Sequence, residues 1–150
     1  MKHIYLYIIS LLLIACNGVK TDQNEESLSS SFTSKNEVPS DPLLNKGIGP
    51  VSSLELSEIN ATMVTEGEEL FKGKCSACHK VKKRYIGPMI SGVVNRRSPE
   101  WIMNMILNPE EMLEKDAIAR ELLIEYSSPM ANQSLTKEEA RKILEYFRTI

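Results

Sequence analysis

The stretch "KGKCSACHKVKKRYIGP", residues 72–88, decides how the rest of the chain is interpreted. It places two cysteines and a histidine within five residues, Cys75-Ser-Ala-Cys78-His79, with lysines on both sides. The same residue types could form part of a zinc site, a redox-active dithiol or an attachment site for haem. The remainder of the chain has to distinguish between these three kinds of site.

The first sixteen residues, MKHIYLYIISLLLIAC, have the pattern of an export signal. Lys2 and His3 precede an apolar run over residues 4–14, which is shorter than the about 20 residues of a membrane-spanning helix and suits a secretory signal peptide. The run ends in Leu-Ile-Ala-Cys, which resembles a bacterial lipobox. This resemblance implies that residues 1–15 are a lipoprotein signal peptide and that Cys16 is lipidated. A plain signal peptide with an incidental cysteine is the alternative. We therefore expect an exported, periplasm-facing protein with a lipid anchor in a bacterial membrane.

A polar segment follows. Residues 17–46 are rich in Ser, Asn, Glu and Asp, and they cannot bury enough apolar surface to offset the entropy of ordering. They predict a flexible spacer, whereas residues 47–59 could be either linker or an arm packed on the domain. We assign residues 16–59 to a tether and N-terminal arm, and residues 60–150 to one domain. At roughly 90 residues, that domain would gain from a cofactor that serves as part of its core.

The apolar residues of this domain recur at helical spacing. Val64, Gly67 and Phe71 lie in a helix that runs into Cys75. Ser98-Pro99 is a start signal for a second helix. No stretch of useful length alternates as a strand would, so the fold class is predicted to be all-α.

Two further start signals precede the end of the chain. Asn108-Pro109 begins a helical segment in which Glu111 could close a capping box and Asp116 is a candidate break. Thr136 and Glu139 form a capping box for the last helix. These signals leave loops around residues 82–95 and 127–135.

The three interpretations of the motif can now be compared. Zinc requires four ligands, and residues 60–150 contain no cysteine or histidine beyond Cys75, Cys78 and His79. A thioredoxin-like dithiol requires strands around it. Haem attachment explains all three residues, because two thiols add to the haem vinyl groups and the adjacent His79 can bind the iron. Export supports it, since this attachment occurs outside the bacterial cytoplasm.

Over residues 63–150 the chain resembles the class I cytochromes c. "EGEELFKGKCSACH" is similar to the first helix of that family, and "LEYF" is similar to its last helix. The resemblance implies that these terminal helices cross around one covalently bound haem c, with Gly67 and Phe71 at the crossing and Tyr146 packed near Gly67. "IGP", residues 86–88, resembles the loop in which a proline carbonyl accepts a hydrogen bond from the proximal histidine, which here would join Pro88 to His79.

The same family takes its second iron ligand from a methionine near the last helix. The candidates in this domain are Met63, Met89, Met103, Met105, Met112 and Met130. Met130 is the expected ligand because it follows a stiffening proline in the loop before that helix. The alternative is an open or water-bound iron. The chain departs from the family pattern in its long acidic stretch over residues 108–128, which predicts an extra helical segment before Met130.

Ligation by His79 and Met130 would leave no iron position for a substrate, which suits an electron carrier and not an enzyme. We expect a membrane-tethered, single-haem carrier that passes electrons in a respiratory chain to a terminal reductase or oxidase. A haem subunit fixed within one complex is the first alternative. A haem-based gas sensor or enzyme is the second, if Met130 does not bind the iron.

Two features bear on partners. "PEWIMNMILNPEEM" and "PMANQSL" resemble small lipoprotein cytochromes associated with nitrous oxide respiration, which implies nitrous oxide reductase as one acceptor. A basic cluster surrounds the motif and predicts an acidic docking surface on the redox partner, although it could also be a simple solvated face. The cluster comprises Lys72, Lys74, Lys80, Lys82, Lys83 and Arg84. No nucleic-acid signature is present.

Overall fold

The computed structural model of the protein describes residues 41–150, which form five α-helices and no strand. The helices are α1 (Ala61–Lys74), α2 (Pro99–Leu107), α3 (Pro109–Lys115), α4 (Ala117–Tyr126) and α5 (Lys137–Phe147), with a short 3₁₀ helix at Val93–Asn95. The all-α prediction is confirmed. The predicted signal peptide, Cys16 and the spacer up to residue 40 lie outside the described residues. None of the helices within residues 41–150 has the length and apolar character to cross a membrane.

Two of the helix starts follow the predicted cap signals. The Ser98 hydroxyl accepts a hydrogen bond from the Trp101 backbone N–H at 3.1 Å, and Pro99 occupies the first turn of α2. Thr136 and Glu139 exchange both bonds of a capping box at the start of α5. Each side chain satisfies a backbone N–H that the helix itself leaves unpaired.

The capping box predicted for Asn108 and Glu111 is wrong. The Asn108 side chain makes no bond to the backbone of α3 and instead donates to Glu111 Oε2 at 2.7 Å. Asn108 also ends α2, where its backbone N–H donates to the Asn104 carbonyl at 2.8 Å. The Asn108 backbone, with φ of −142° and ψ of 52°, lies outside the extended region that is typical of a capping residue. Its amide nitrogen donates to the Glu111 side chain and to the Ile48 carbonyl, and its side-chain oxygen accepts nothing from the α3 backbone.

Asp116 separates α3 from α4, as its sequence position indicated. Its buried carboxylate accepts hydrogen bonds from the Ala119 backbone N–H at 2.8 Å and from Trp101 Nε1 at 3.0 Å. A third bond comes from Asn45 Nδ2 at 2.7 Å. The break is therefore stabilised by a side chain that caps α4 and also accepts from two buried donors.

Residues 45–54 pack on the helices as an arm. Asn45 is buried, and Asn104 of α2 accepts from the Val51 backbone N–H at 3.0 Å while donating to the Lys46 and Val51 carbonyls. Glycine is needed at position 47, where φ is +70° and a Cβ would lie 2.8 Å from the Met112 sulfur. The arm thus begins before residue 47, because Asn45 and Lys46, which the sequence placed in the flexible spacer, already bond to the helices.

The terminal helices α1 and α5 cross closely. Gly67 is buried at the crossing, where a Cβ would lie 2.5 Å from the Lys142 carbonyl carbon and even closer to its oxygen. Further along α1, the Phe71 ring packs against Tyr146 and Phe147 at centroid distances of 5.7 and 5.8 Å. The crossing confirms the predicted role of Gly67. Tyr146, however, makes its ring contact with Phe71, and the backbone at Lys142 is what approaches Gly67.

Candidate functional site

The two cysteines and the histidine of the motif lie on a tight turn at the end of α1. The Cys75 N–H donates to the Phe71 carbonyl at 2.9 Å, and the Cys75 carbonyl accepts from the N–H groups of Cys78 and His79 at 3.1 and 2.9 Å. Cys75 is partly buried and Cys78 is exposed, and no disulfide joins the two. The turn therefore presents two thiols and an imidazole from one short piece of backbone.

The His79 ring is held by the loop that contains Pro88. His79 Nδ1 lies 3.0 Å from the Pro88 carbonyl oxygen, the contact that the family resemblance implied. Because a carbonyl can only accept, Nδ1 must donate, and the lone pair of the neutral ring is then on Nε2. A hydrogen bond of this kind fixes the tautomer and orientation of a metal-binding histidine.

Gly87 is a functional position that the sequence reasoning missed. A Cβ at this residue would lie 2.5 Å from His79 Cε1 and 2.9 Å from Nδ1, so only glycine allows the backbone to come this close to the ring. The Gly87 N–H also donates to the Cys78 carbonyl at 2.9 Å. A glycine immediately before the proline was the available signal.

The motif opens on an apolar cavity that Met130 also lines. Cys75, Cys78, His79 and Met130 all contribute to its wall. Much of the remaining wall is aromatic or aliphatic, and the members contributed by α1, α2, α4 and α5 include Phe71, Trp101, Ile102, Ile106, Leu122, Leu123, Tyr126 and Phe147. Further apolar residues come from the loop after the motif, the 3₁₀ helix and α3, namely Ile86, Ile90, Val93 and Leu113. The cavity therefore suits a large apolar group that is joined to the protein at the cysteines.

Only some of the candidate methionines for the second iron ligand line the cavity. Met63, Met103 and Met112 do not line it, whereas Met89, Met105 and Met130 do. Met112 instead accepts a hydrogen bond from the Ile48 N–H at 2.9 Å. Met89 immediately follows Pro88, and Met105 lies on α2. Met130 is the only one of the three in the loop between α4 and α5.

Arg97 supplies a polar group to this apolar wall. Its Nε is buried and finds no hydrogen-bond partner among residues 41–150, and the side chain lines the cavity together with Arg96. Burial is the main cause that lowers the pKa of Arg97. A buried donor without a partner is costly unless a ligand satisfies it. An apolar group with a carboxylate at its edge, such as haem, fits both the apolar wall and this donor.

The Cys75 thiol does not have the properties of a reactive dithiol. Burial, with a smaller contribution from Cys78, raises its pKa to about 11. Redox-active cysteines of the C-x-x-C type have lowered pKa values, because the thiolate is the reactive form. No group of three or more His, Cys, Asp and Glu side chains converges within residues 41–150 in a way that could hold a metal ion.

A sequence model of the family described as Cytochrome c matches residues 64–150. The chain belongs to the cytochrome c family. A cytochrome c from Rhodothermus marinus is 42% identical, with a TM-score of 0.66, and the match covers 67% of this chain and 88% of that one. An engineered form of the R. marinus protein, Rma TDE, is 41% identical over 67% of this chain and 89% of that one, with a TM-score of 0.65. A search of curated proteins found no match.

Family membership confirms the class I fold and the cofactor. The chain carries covalently bound haem c, with Cys75 and Cys78 at the C-x-x-C-H spacing of its attachment motif. The segment over residues 108–128, predicted as an addition before the methionine loop, is present as α3 and α4.

The basic cluster around the motif is only partly paired. Lys72 Nζ lies 2.8 Å from Glu68 Oε1, and Arg84 Nη1 lies 2.6 Å from Glu125 Oε1. Lys82 and Lys83 are exposed and make no ion pair within residues 41–150. These two lysines, together with Lys74, leave positive charge at the surface beside the motif.

Proposed function

We propose that this protein is a single-haem electron carrier in which His79 and Met130 bind the iron. One observation carries the proposal: His79, oriented by Pro88, and Met130, from a separate loop, line the same apolar cavity as the two cysteines. Haem supplies a one-electron Fe(III)/Fe(II) couple when it is bound there. Members of the cytochrome c family are electron carriers in general, and ligation by His79 and Met130 would favour that role over catalysis in this protein.

The residues around the cavity favour electron transfer over substrate chemistry. With a histidine and a thioether on the iron, little has to move when one electron is gained or lost. The apolar wall excludes water and favours the less charged, reduced state. Met130 would hold the iron position that a substrate or gas needs, so we propose that the protein is not an enzyme.

One observation favours an alternative. The engineered R. marinus cytochrome was also solved bound to a carbene intermediate, at 42% identity and a TM-score of 0.63 to this chain, over 67% of this chain and 88% of that one. A haem enzyme or gas sensor would need Met130 to be absent from the iron or easily displaced. A subunit fixed within one complex would keep the ligation but exchange electrons with a single neighbour.

The proposed setting is respiratory. The export signal and Cys16 support a lipid-anchored carrier that faces the periplasm, and the acceptor is proposed to be a terminal reductase, such as nitrous oxide reductase, or an oxidase. Lys82 and Lys83 support an acidic docking surface on that partner. Complementary charge raises the rate of encounter and loses its effect with added salt.

Replacement of Met130 tests the ligation. In the ferric holoprotein, Met130→Ala should abolish the long-wavelength sulfur-to-iron absorption band, lower the reduction potential and allow carbon monoxide to bind the ferrous form. Met89→Leu and Met105→Leu, the other two methionines of the cavity, should keep the band. Met103→Leu serves as a control for a change in the core away from the cavity. Loss of the band in Met89→Leu or Met105→Leu, with retention in Met130→Ala, would contradict the assignment.

Charge reversal tests the docking surface. Lys82→Glu and Lys83→Glu should slow oxidation of the reduced protein by membranes of its own organism at low salt, and they should flatten the dependence on salt. Lys137→Glu makes the same change of charge at the start of α5 and should have little effect. Equal rates for all three variants would place docking on another face, with the acidic residues 110–125 the next to examine.

A further inference from the structure

Arg84 joins the loop that follows the motif to the segment that leads to Met130. One guanidinium nitrogen lies 2.6 Å from Glu125 Oε1, and the other lies 2.9 Å from the Glu125 backbone carbonyl oxygen. The guanidinium carbon also lies 4.0 Å from the centre of the Tyr126 ring. Arg84 is five residues after His79, and Glu125 is five residues before Met130. We refer to these contacts of Arg84 with Glu125 and Tyr126 as the clasp.

The clasp is anchored firmly on the side of Arg84. The loop around it is bonded to the motif, because the Gly87 N–H donates to the Cys78 carbonyl at 2.9 Å. The Ser91 N–H donates to the Val81 carbonyl, also at 2.9 Å. These two bonds bracket Arg84, so its backbone is held close to the cysteines whatever happens at the other end of the clasp.

The methionine side is held less firmly. Residues 128–135 form no backbone-to-backbone hydrogen bond with any other residue in the range 41–150. The one side-chain bond from this segment to another element runs from Asn132 Nδ2 to Glu110 Oε2 at 3.3 Å. The segment begins just after Ser127, which ends α4 in the left-handed conformation, with φ of 49°. Its position therefore depends on this one polar contact, on the packing of its side chains, and on how firmly the end of α4 that precedes it is held.

The clasp is stronger than an ordinary surface ion pair. Arg84 and Glu125 are each about half exposed, and a single ion pair under such conditions contributes little. Here the same guanidinium also binds a carbonyl in the last turn of α4, where the helix leaves carbonyls unpaired and favours positive charge. Stacking on Tyr126 adds a cation–π contact. The planar, multiply donating guanidinium can make all three contacts at once, whereas a lysine cannot.

We propose that Arg84 is a positioning residue for Met130, the proposed second ligand of the iron. It holds the end of α4 against the loop that follows His79, and by doing so it keeps the Met130 segment closed over the cavity. The clasp thus controls how often Met130 leaves the iron, through a contact outside the haem pocket. This inference rests on the His79 and Met130 ligation proposed above.

The rate at which imidazole replaces Met130 in the ferric holoprotein tests the clasp. If the methionine must first leave, the observed rate rises with imidazole concentration and reaches a plateau equal to the rate of opening. Arg84→Gln should raise that plateau by about three- to tenfold, the factor expected from the net contributions of an exposed ion pair and a cation–π contact. Glu125→Gln should act in the same direction, and the double variant should show less than the combined effect, since each change breaks the same contact.

Lys115→Gln is the matched control. It also removes one positive charge from a half-exposed ion pair, that of Lys115 with Glu111 at 2.8 Å, but this pair lies within α3 and joins no separate segments. Its plateau should equal that of the wild type. Arg84→Lys keeps the charge and loses the paired bonds and the stacking, so its plateau should fall between those of the wild type and Arg84→Gln.

The outcomes separate the clasp from the ligation. A wild-type plateau that Arg84→Gln leaves unchanged would overturn the clasp and retain Met130 as ligand. An equal increase in Lys115→Gln would also overturn it, because the effect would then belong to charge alone. A wild type that lacks the sulfur-to-iron band and binds imidazole without a plateau would overturn the ligation itself.

Discussion

Replacing Gly67 with alanine tests the crossing of α1 and α5. The added Cβ would lie 2.5 Å from the carbonyl carbon of Lys142 and 3.1 Å from the backbone nitrogen of Ile143. Both atoms belong to the backbone of α5 and cannot rotate away. Ordinary contact begins near 3.4 Å, so the helices would have to separate by at least about 0.9 Å, the difference between 3.4 and 2.5 Å, and the Lys142 carbonyl oxygen, which lies closer still, requires more. The packing of Phe71 against Tyr146 and Phe147 would be disturbed by such a separation.

The expected cost follows from these distances. Overpacking a core costs about 1–3 kcal/mol, and the rigid obstacle places this change at the upper end. The better helix propensity of alanine offsets about 1 kcal/mol. The net loss in the free energy of unfolding is therefore about 2 kcal/mol, equivalent to a fall of about 8–16 °C in Tm for a domain of this size.

Guanidinium unfolding of the holoprotein, followed by circular dichroism, measures this loss. Gly73→Ala is the control within the same helix, because a Cβ at Gly73 would meet nothing within 4 Å. That variant should be neutral or more stable by up to about 1 kcal/mol. If Gly67→Ala stays within about 0.5 kcal/mol of the wild type, the usual range of a surface substitution, then the account of the crossing is refuted.

Three further predictions concern single residues. Gly87→Ala should displace the His79 ring, because its Cβ would lie 2.5 Å from Cε1, and should shift the visible spectrum and reduction potential of the holoprotein; an unchanged spectrum would contradict this. Asp116→Ala leaves three donors without their acceptor and should cost about 3 kcal/mol or more in a denaturant titration, whereas Asp116→Asn, which keeps one oxygen, should cost less. For Glu145, burial raises the pKa of the carboxyl, but bonds from Arg148 and Arg141 lower it more, so the pKa lies below its ordinary value of 4.5. The carboxylate therefore stabilises the fold above about pH 4.5 and loses this effect as the pH falls through the lowered pKa. The free energy of unfolding, measured across a pH series, should accordingly fall less steeply in acid for Glu145→Gln than for the wild type.

The helices were predictable because their signals are local. Ser98, Thr136 and Asp116 cap helices that begin within three residues of them, and nothing distant is needed to recognise such caps. The C-x-x-C-H motif is equally local, so the attachment site followed from one short stretch. The predicted Asn108 cap is wrong because a distant residue also determines where its amide lies. The Asn108 amide donates to the carbonyl of Ile48, which is 60 residues away.

The contacts that the sequence did not reveal join distant segments. Asn45 bonds to Asp116 across 71 residues, and Arg84 bonds to Glu125 across 41. Neither pair has a spacing that a helix or a turn imposes, so only the folded chain shows them. Gly87 and Arg97 were missed because the importance of each depends on its surroundings in the folded chain. Gly87 lies against the His79 ring, and the buried Arg97 Nε has no hydrogen-bond partner among the described residues.

The crossing of the terminal helices also has a consequence for biosynthesis. Gly67 and Lys142 are 75 residues apart, so the contact closes almost the whole domain into one loop, and closing a loop of this length costs entropy that a local contact does not. Because the ribosome makes α5 after α1, α1 and its attachment motif exist for a time with the apolar surface around Phe71 uncovered. A chain interrupted before residue 137 would still present both thiols but would have no α5 to close against α1. Synthesis of α5, and not the presence of the motif, therefore determines when the domain can close.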